Sequence, residues 1–214
     1  MQKITAIEQQ KRNKERVSIF LDGEFAFGLA FETAAGLRVG QELSEEAIAQ
    51  LQDQETVVQA RQSAFRFISF RPRSIAEVRR NLIGKQYDEA LVEAILNDLV
   101  AREYLDDEEF AAYWVEQRES FKPRSRMALR HELYEKGVPR AIIDKVVQDV
   151  DEDDAAIKAA SRRAYRWSAL GEDEFTEKMI AYLRRRGFNY RIARKTAEQS
   201  WRDQKENDIP AQRR

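Results

Sequence analysis

The feature of this sequence that most constrains its fold is a repeat of about fifty residues. The segment Arg71-Pro72-Arg73-Ser74 recurs as Lys122-Pro123-Arg124-Ser125, after a shift of 51 residues. The same shift aligns apolar positions of the two copies: Phe70 with Phe121, Val78 with Leu129, Leu82 with Leu133, Ile95 with Val146, Leu96 with Val147 and Leu99 with Val150. Self-similarity at this length is typical of stacked helical repeats.

A third, weaker copy follows after a further shift of 50 residues. It aligns Gly187 with Gly137, and a glycine just past the end of a helix is typical of a left-handed C-cap. Met179, Leu183, Arg186 and Phe188 belong to the same alignment. The third copy lacks the Pro-Arg-Ser segment and carries Ala169-Leu170-Gly171-Glu172 instead.

Capping signals divide each copy into three helices. Pro72 disfavours helix in the residue before it. Ser74, followed three residues later by Glu77, has the pattern of a capping box at the start of the next helix. Asp88 and Asp106 are candidate N-caps of the two helices that follow. Each copy is therefore predicted as helix, break, helix, tight turn and helix.

The predicted fold class is mainly α, with three tandem three-helix repeats and a small N-terminal domain that contains a β-hairpin. The predicted ranges are 1–51 for the N-terminal hairpin and helix region, 53–102, 106–150 and 153–205 for the repeats, and 206–214 for a polar tail. A single repeat is too small to bury a generous core alone, so we expect the repeats to stack in an elongated array.

The N-terminal region carries a hairpin signal. Asp22-Gly23 lies between the strand candidates Arg16–Leu21 and Glu24–Leu29, and this dipeptide is typical of a two-residue turn. In that register Phe20 lies opposite Phe25 and Ser18 lies opposite Phe27. We expect this aromatic face to pack on another strand, carrying Ile4 and Ile7, or on a helix, since a lone hairpin is not stable.

The composition narrows the class of protein. The charged fraction of 35% suits many short amphipathic helices, whereas the net charge of −1 by itself indicates no partner. The chain has no cysteine, which excludes disulfides and thiolate sites. It has no apolar run of membrane-spanning length. We expect a soluble, cytoplasmic protein with no membrane segment.

The sequence offers no catalytic constellation, so we predict a protein that is not an enzyme and holds no cofactor or metal. The one histidine, His131, has no cysteine or second histidine to act with and is interpreted as a surface residue. The acidic clusters Asp106–Glu109 and Asp151–Asp154 open helices, where carboxylates act as caps. Core packing is favoured over base stacking for the tryptophans, Trp114, Trp167 and Trp201.

Basic residues concentrate on the second helix of each repeat, and acidic residues on the helices beside it. A solvated face balanced by ion pairs explains this pattern, and so does a repeated basic stripe that binds phosphates or an acidic protein surface. The second interpretation gives a set of candidate contacts with a partner or with DNA. This set comprises Arg71, Arg73, Lys122, Arg124, Arg126, Arg184, Arg185 and Arg186.

Several of these motifs, in this order and spacing, resemble those of the RecX family, bacterial regulators of the RecA recombinase. The resemblance rests on the two Pro-Arg-Ser segments, on Tyr104-Leu105-Asp106-Asp107 with Phe110 and Trp114, and on Leu133–Gly137. The hairpin with Asp22–Phe25 fits as well. The resemblance covers nearly the whole chain and is weaker in the third repeat.

The resemblance implies a non-enzymatic modulator that binds the groove of the RecA filament on single-stranded DNA. Such a modulator inhibits ATP hydrolysis and strand exchange or limits filament extension, and so regulates recombination, DNA repair and the SOS response. A monomer is expected. The resemblance supplies no catalytic residues, and the candidate contacts come from charge and repetition alone.

Two other classes stay open at this point. The first is a helix-turn-helix-like DNA-binding protein that acts without RecA; the acidic third helices of the first two repeats count against it. For that class the third repeat, with Tyr190, Arg191, Arg194 and Lys195, is the better candidate. The second is a structural adaptor for another assembly. The sequence does not decide whether RecA is inhibited or assisted.

Overall fold

The computed structural model describes residues 1–207, which are mainly helical with a small sheet at the N-terminus. Of the predicted tail, 206–214, residues 206 and 207 belong to the last helix, and the rest lies outside the described residues. Among the described residues no helix is both long and apolar enough to cross a bilayer. In chain order the elements are β1 (Gln2–Gln9), β2 (Arg16–Leu21), β3 (Glu24–Ala30), α1 (Phe31–Ala34), β4 (Glu42–Leu43), α2 (Glu45–Ile68), α3 (Ile75–Ile83), α4 (Glu89–Ala101), α5 (Asp107–Phe121), α6 (Arg126–Glu135), α7 (Arg140–Val147), α8 (Glu152–Ala164), α9 (Glu172–Arg185) and α10 (Tyr190–Asn207).

These elements form two compact units, each built from two separate segments of the chain. The first unit contains Met1–Arg71 and Val78–Asp98, and the second contains Pro72–Glu77 and the chain from Leu99 onward. The segment that carries the first Pro-Arg-Ser motif therefore belongs to the same unit as the second and third repeats. Each unit is described by itself below.

In the first unit, four strands form an antiparallel sheet in the order β3-β2-β1-β4. The hairpin turn is at Asp22 and Gly23, whose φ angles of 50° and 92° are those of a type I′ turn. Phe20 lies opposite Phe25, as predicted, and the two rings meet edge to face at 6.0 Å. The second predicted pair is wrong, because the register shifts after Ile19 and places Gly28 opposite Ser18.

The face of this sheet that forms the core is aliphatic. Val17, Ile19 and Leu21 alternate along β2 and are buried with Ile4 and Leu29. The expectation that the aromatic face packs on another element is wrong for Phe25, which is 60% exposed, but Phe27 does pack against the buried cluster. The β-branched and leucine side chains of β2 fill the space against β1 and α2, and the Phe20–Phe25 pair lies on the opposite, solvent side.

The helix α2 is continuous over 24 residues and begins at the predicted cap, Ser44, whose hydroxyl accepts a hydrogen bond from the Ala47 N–H. The predicted domain boundary at residues 51–53 therefore falls inside a helix. No glycine or proline interrupts the sequence there, and the same helix also packs against the sheet. Its Glu55 is buried, accepts a hydrogen bond from the Ala30 N–H and pairs with Arg16.

Predicted N-cap residues lie at the starts of several of the remaining helices. Ser74 and Glu77 form the predicted capping box, with the Glu77 N–H donating to Ser74 Oγ at 3.1 Å and the Ser74 N–H donating to Glu77 Oε2 at 3.4 Å. Asp106 and Asp151 each accept two backbone hydrogen bonds at the starts of α5 and α8. The two acidic clusters are therefore helix caps, as interpreted. Trp114, Trp167 and Trp201 pack against the cores of their repeats.

Within the second unit, the N-terminus of α3 is bound by residues of the second repeat. Ser74 Oγ donates to the Lys136 carbonyl at 2.6 Å, at the end of α6. The first N–H of the helix, that of Ile75, donates to Asp107 Oδ1 at 3.0 Å, at the start of α5. The Pro-Arg-Ser segment is therefore a docking segment whose helix cap is completed by the next repeat.

A similar arrangement recurs between the second and third repeats, with the backbone N–H of the serine as the donor in place of its hydroxyl. The Ser125 N–H donates to the Arg186 carbonyl at 3.2 Å, at the end of α9. The first N–H of α6, that of Arg126, donates to Glu152 Oε1 at 2.9 Å, at the start of α8. We call these two contacts the first and second junctions.

Glycine is required where each docking segment lies against the turn that follows a second helix. Gly137 and Gly187 have φ angles of 80° and 91°. A β-carbon at Gly187 would overlap Ser125 Oγ and approach Ala128 Cβ to 2.8 Å, and one at Gly137 would overlap Ala76. Gln86, at the equivalent position of the first repeat, has φ 66°. The left-handed conformation by itself therefore does not prevent a residue with a side chain from occupying this position. The close approach is what excludes one.

A polar network centred on Glu132 joins α5 to α6. The Trp114 indole donates to Glu132 Oε2 at 2.9 Å, and Arg118 Nε donates to the same oxygen at 2.6 Å. Arg124 forms an ion pair with the other carboxylate oxygen at 3.0 Å. Lys136 lies 4.8 Å above the Trp114 ring and pairs with Glu77. The Glu132 side chain is only 16% exposed, so these partners, more than water, compensate its negative charge.

We predict that Gly187→Ala destabilises the protein by about 2–4 kcal/mol, the sum of a left-handed alanine and an overlap at the second junction. Gly171→Ala is the matched control in the same unit, since its φ is −71° and its β-carbon would meet nothing within 4 Å. It should cost less than about 1 kcal/mol. Urea unfolding followed by tryptophan fluorescence measures both, and equal effects would contradict the close approach at the junction.

We also predict that Glu132→Ala costs about 2–3 kcal/mol, because it leaves two arginines and an indole N–H without their acceptor. Glu116→Ala removes an exposed carboxylate from α5 and should change the free energy of unfolding by less than about 0.5 kcal/mol. The same urea titration compares them. A cost for Glu132→Ala as small as that of the control would mean that the network does not hold α5 against α6.

Candidate partner-binding site

A basic groove lies at the second junction, where the N-terminal half of α6 meets the last turn of α9. Its volume is about 620 Å³. Two of its arginines come from α9 and one from the second Pro-Arg-Ser segment. Its lining comprises Arg124, Met127, Ala128, His131, Glu132, Glu135, Arg184, Arg185 and Gly187. The structure therefore brings Arg124 together with Arg184 and Arg185, two members of the predicted contact set that are far from it in sequence.

Arg184 and Arg185 are the exposed cations of this groove. They end α9, where the helix dipole and the free carbonyl groups favour positive charge. Within residues 1–207, no carboxylate forms an ion pair with either side chain. Their guanidinium groups are consequently available for an external anion.

Arg124 and Arg126 are committed to contacts within the fold. Arg124 is one-third exposed and pairs with Glu132 in the network described above. Arg126 Nε donates to the Val150 carbonyl at 2.7 Å, which ties α6 to the segment before α8. Removal of either side chain would therefore alter the second junction as well as the charge of the groove.

Arg186 is likewise a structural residue of the second junction. Its Nη1 donates to the Pro123 carbonyl at 3.0 Å, and its guanidinium carbon lies 4.8 Å from the centroid of the Tyr182 ring. The side chain is half-buried. The arginine triplet at the end of α9 thus divides into two exposed residues that face the groove and one that holds the docking segment.

The other members of the predicted set lie apart from the groove lining. Arg71 belongs to the first compact unit and is half-buried. Arg73, in the second unit, is also half-buried, and Lys122 is exposed directly after α5. The predicted set is therefore not one continuous surface in the second unit.

Ion pairs within a repeat account for part of the basic pattern on the second helices. Arg79 Nε donates to Glu93 at 2.6 Å, and the equivalent pair 51 residues later, Arg130 with Asp144, has a distance of 3.1 Å. The hydrogen bond from Arg79 lowers the pKa of Glu93 from its usual value. For these residues the balanced, solvated face is the better interpretation.

The same applies to the basic residues of α10 that favoured direct DNA binding. Arg194 pairs with Glu198 at 2.7 Å, and this hydrogen bond raises the pKa of the guanidinium. Lys195 pairs with Asp153 at 3.0 Å. Two of the four residues that suggested a DNA-reading helix are therefore already paired with carboxylates.

Met127 and His131 are residues of the groove that the sequence did not assign to a site. Met127 is 67% exposed, and the His131 side chain is 71% exposed beside Glu135. His131 is a surface residue, as interpreted, but its place on the groove depends on the contact between α6 and α9. A lone exposed methionine has no periodic signal that would mark it. The groove thus combines three arginines and a flexible apolar side chain with two carboxylates, Glu132 and Glu135. Arg184 and Arg185, which form no ion pair within residues 1–207, suit it to anionic ligands.

Comparison with protein families gives three matches along the chain. Residues 2–44 match the regulatory protein RecX N-terminal domain. Residues 60–99 match the first three-helix domain of RecX, and residues 106–147 match the second. The matched segments correspond to the sheet, to the C-terminal part of α2 with α3 and α4, and to α5–α7.

Curated relatives cover most of the chain. The regulatory protein RecX of Bacillus licheniformis is 31% identical over 98% of this chain and 81% of its own length. The regulatory protein RecX of Clostridium botulinum is 27% identical over 94% of this chain and 97% of its own length. These alignments include the third repeat as well as the matched domains.

Solved structures agree with the fold. A crystal structure of regulatory protein RecX superposes with a TM-score of 0.64, at 26% identity, and covers 92% of this chain and 98% of that one. The structure of RecX from Lactobacillus salivarius has a TM-score of 0.58 at 19% identity, covers 70% of this chain and 98% of that chain, and supports the fold alone. The chain belongs to the RecX family of regulatory proteins.

Proposed function

We propose that this protein is a non-enzymatic regulator of RecA that binds the RecA filament on single-stranded DNA. In this proposal it lies in the filament groove and inhibits ATP hydrolysis and strand exchange, and so regulates recombination, DNA repair and the SOS response. It acts in the cytoplasm as a monomer. Membership of the RecX family supports a regulatory role.

The observation that carries the proposal is the basic groove of the second unit. Arg184 and Arg185 present two exposed guanidinium groups, which bind carboxylates or phosphates in a bidentate manner. A filament of protein on DNA offers both kinds of anion. Because the groove also carries Met127, it can contact an apolar patch beside the anion.

Binding of this kind regulates a filament through a difference in affinity. A ligand shifts a two-state equilibrium only by its preference for one of the states. A protein that contacts neighbouring RecA subunits in one filament arrangement stabilises that arrangement against the others. This mechanism needs no catalytic residue, in keeping with a chain whose one histidine is exposed and beside a glutamate.

We predict that Arg184→Glu with Arg185→Glu raises the amount of protein needed to inhibit RecA about tenfold, because two attractive contacts become repulsive. The measurement is RecA's hydrolysis of ATP on single-stranded DNA, with this protein added at substoichiometric ratios. Arg124→Glu is less suitable for this test, since the new carboxylate would face Glu132 and weaken the fold.

The matched control is Lys11→Glu with Arg12→Glu, an equal change of charge on exposed residues of the loop between β1 and β2. The control should inhibit as the parent does. If both double variants lose inhibition equally, the effect comes from net charge and the groove is not the contact surface. If the parent protein leaves ATP hydrolysis unchanged at every ratio, the proposed function is wrong.

A further inference from the structure

Two aromatic rings project from the second unit at the ends of the first helices of the second and third repeats. Phe121 is the last residue of α5 and is 68% exposed. Tyr165 directly follows α8 and is 67% exposed. Neither belongs to a hydrophobic core, and the basic groove includes neither. Single exposed rings are common on protein surfaces, so the case for a site rests on what surrounds these two.

The two rings lie on neighbouring helix ends. Arg162 Nη2, on α8, donates to the Ser120 carbonyl at 2.6 Å, one residue before Phe121. Tyr165 follows Arg162 by three residues, a spacing that places side chains side by side on a helix. Arg162 therefore bridges the end of α5 to the helix face that carries Tyr165.

Cations surround the two rings. Lys122 follows Phe121 and is exposed, as are Arg162 and Arg166. Arg166 Nε donates to the Tyr165 hydroxyl at 3.2 Å. This hydrogen bond, together with the charges of Arg166 and Arg163, lowers the pKa of the Tyr165 phenol. The potential around the ring is thus positive.

Nearby acidic residues do not cancel this charge. Glu119 is close enough to help raise the pKa of Lys158, whose main partner is Asp154 at 2.6 Å. Lys158, Asp154 and Glu119, one cation and two carboxylates, thus form a group with a net charge of −1 beside Arg162. This single negative charge is smaller than the combined charge of the three exposed cations, Lys122, Arg162 and Arg166. The cations beside the rings are left in excess.

We propose that Phe121, Lys122, Arg162, Tyr165 and Arg166, here called the aromatic–arginine cluster, form a binding site for single-stranded nucleic acid. Bases stack on the two rings, and the cations contact the phosphates between them. The inference rests on the proposed function for the presence of single-stranded DNA, but it concerns direct contact with the nucleic acid.

The surroundings of the rings favour nucleic acid over a protein partner. The fully buried centre of a protein interface is depleted in charge, and aromatic anchors lie in desolvated pockets. Here charged side chains directly flank both rings. A single strand satisfies this arrangement because every nucleotide carries a flat base next to an anion.

The first repeat also has an exposed ring followed by a cation. Phe70, followed by Arg71, is 73% exposed at the position equivalent to Phe121, so the pairing of ring and cation is a property of the repeat.

The test is binding of a fluorescent oligothymidylate of about 20 nucleotides to the full chain without RecA, measured by anisotropy. We expect Phe121→Ala with Tyr165→Ala to weaken binding about tenfold or more, because two stacking faces are lost. Tyr165→Phe keeps the ring and should bind within about twofold of the parent. Both sites are exposed, and circular dichroism checks that the variants remain folded.

Tyr134→Ala is the matched control, since Tyr134 is 74% exposed on α6 and outside the cluster. Unchanged affinity in the double variant, or an equal loss in the control, would overturn the proposal. Loss of inhibition of RecA with unchanged oligonucleotide binding would assign the rings to a protein contact and would also overturn it. Ring-dependent oligonucleotide binding, without any effect on RecA's ATP hydrolysis, would support this inference and contradict only the proposed function.

Discussion

The second unit depends on one constraint, which is that the free N–H groups at the start of a helix need acceptors. In α3 and α6 the serine of the Pro-Arg-Ser segment supplies one acceptor, and the first residue of the following repeat's first helix supplies another. Asp107 and Glu152 have this role in the two junctions. A local capping requirement is thereby satisfied through a tertiary contact, so forming the helix end and docking the next repeat stabilise each other.

The sequence was a good guide where the deciding interaction is local. The caps at Ser44, Ser74 and Asp106 and the turn at Asp22-Gly23 were predictable, because a few adjacent residues determine them. The strand register beyond Phe20 was not, since a bulge shifts the pairing and no nearby residue signals it. The continuity of α2 through residues 51–53 was also missed, because helix periodicity alone does not separate one domain from the next.

The candidate site was less predictable than the fold, for a reason that lies in the arginines themselves. Arg184, Arg185 and Arg186 are consecutive and chemically identical, yet the first two face solvent and the third holds the Pro123 carbonyl. Whether a guanidinium is available to a partner depends on acceptors that are tens of residues away in sequence. Repetition of charge therefore identified the region, and only the three-dimensional contacts separated structural cations from available ones.

The two halves of a junction are unevenly distributed along the chain. The first repeat has the Pro-Arg-Ser segment and Gln86 in the turn, and the third has Gly187 but Ala169–Glu172 in place of the segment. Only the second repeat carries both a docking segment and a receiving glycine. In evolutionary terms, a tandem duplication of the second repeat would produce a new copy with compatible junction contacts on each side. A duplication of the first or third repeat would produce one mismatched contact, so the length of such arrays can change most easily from the middle.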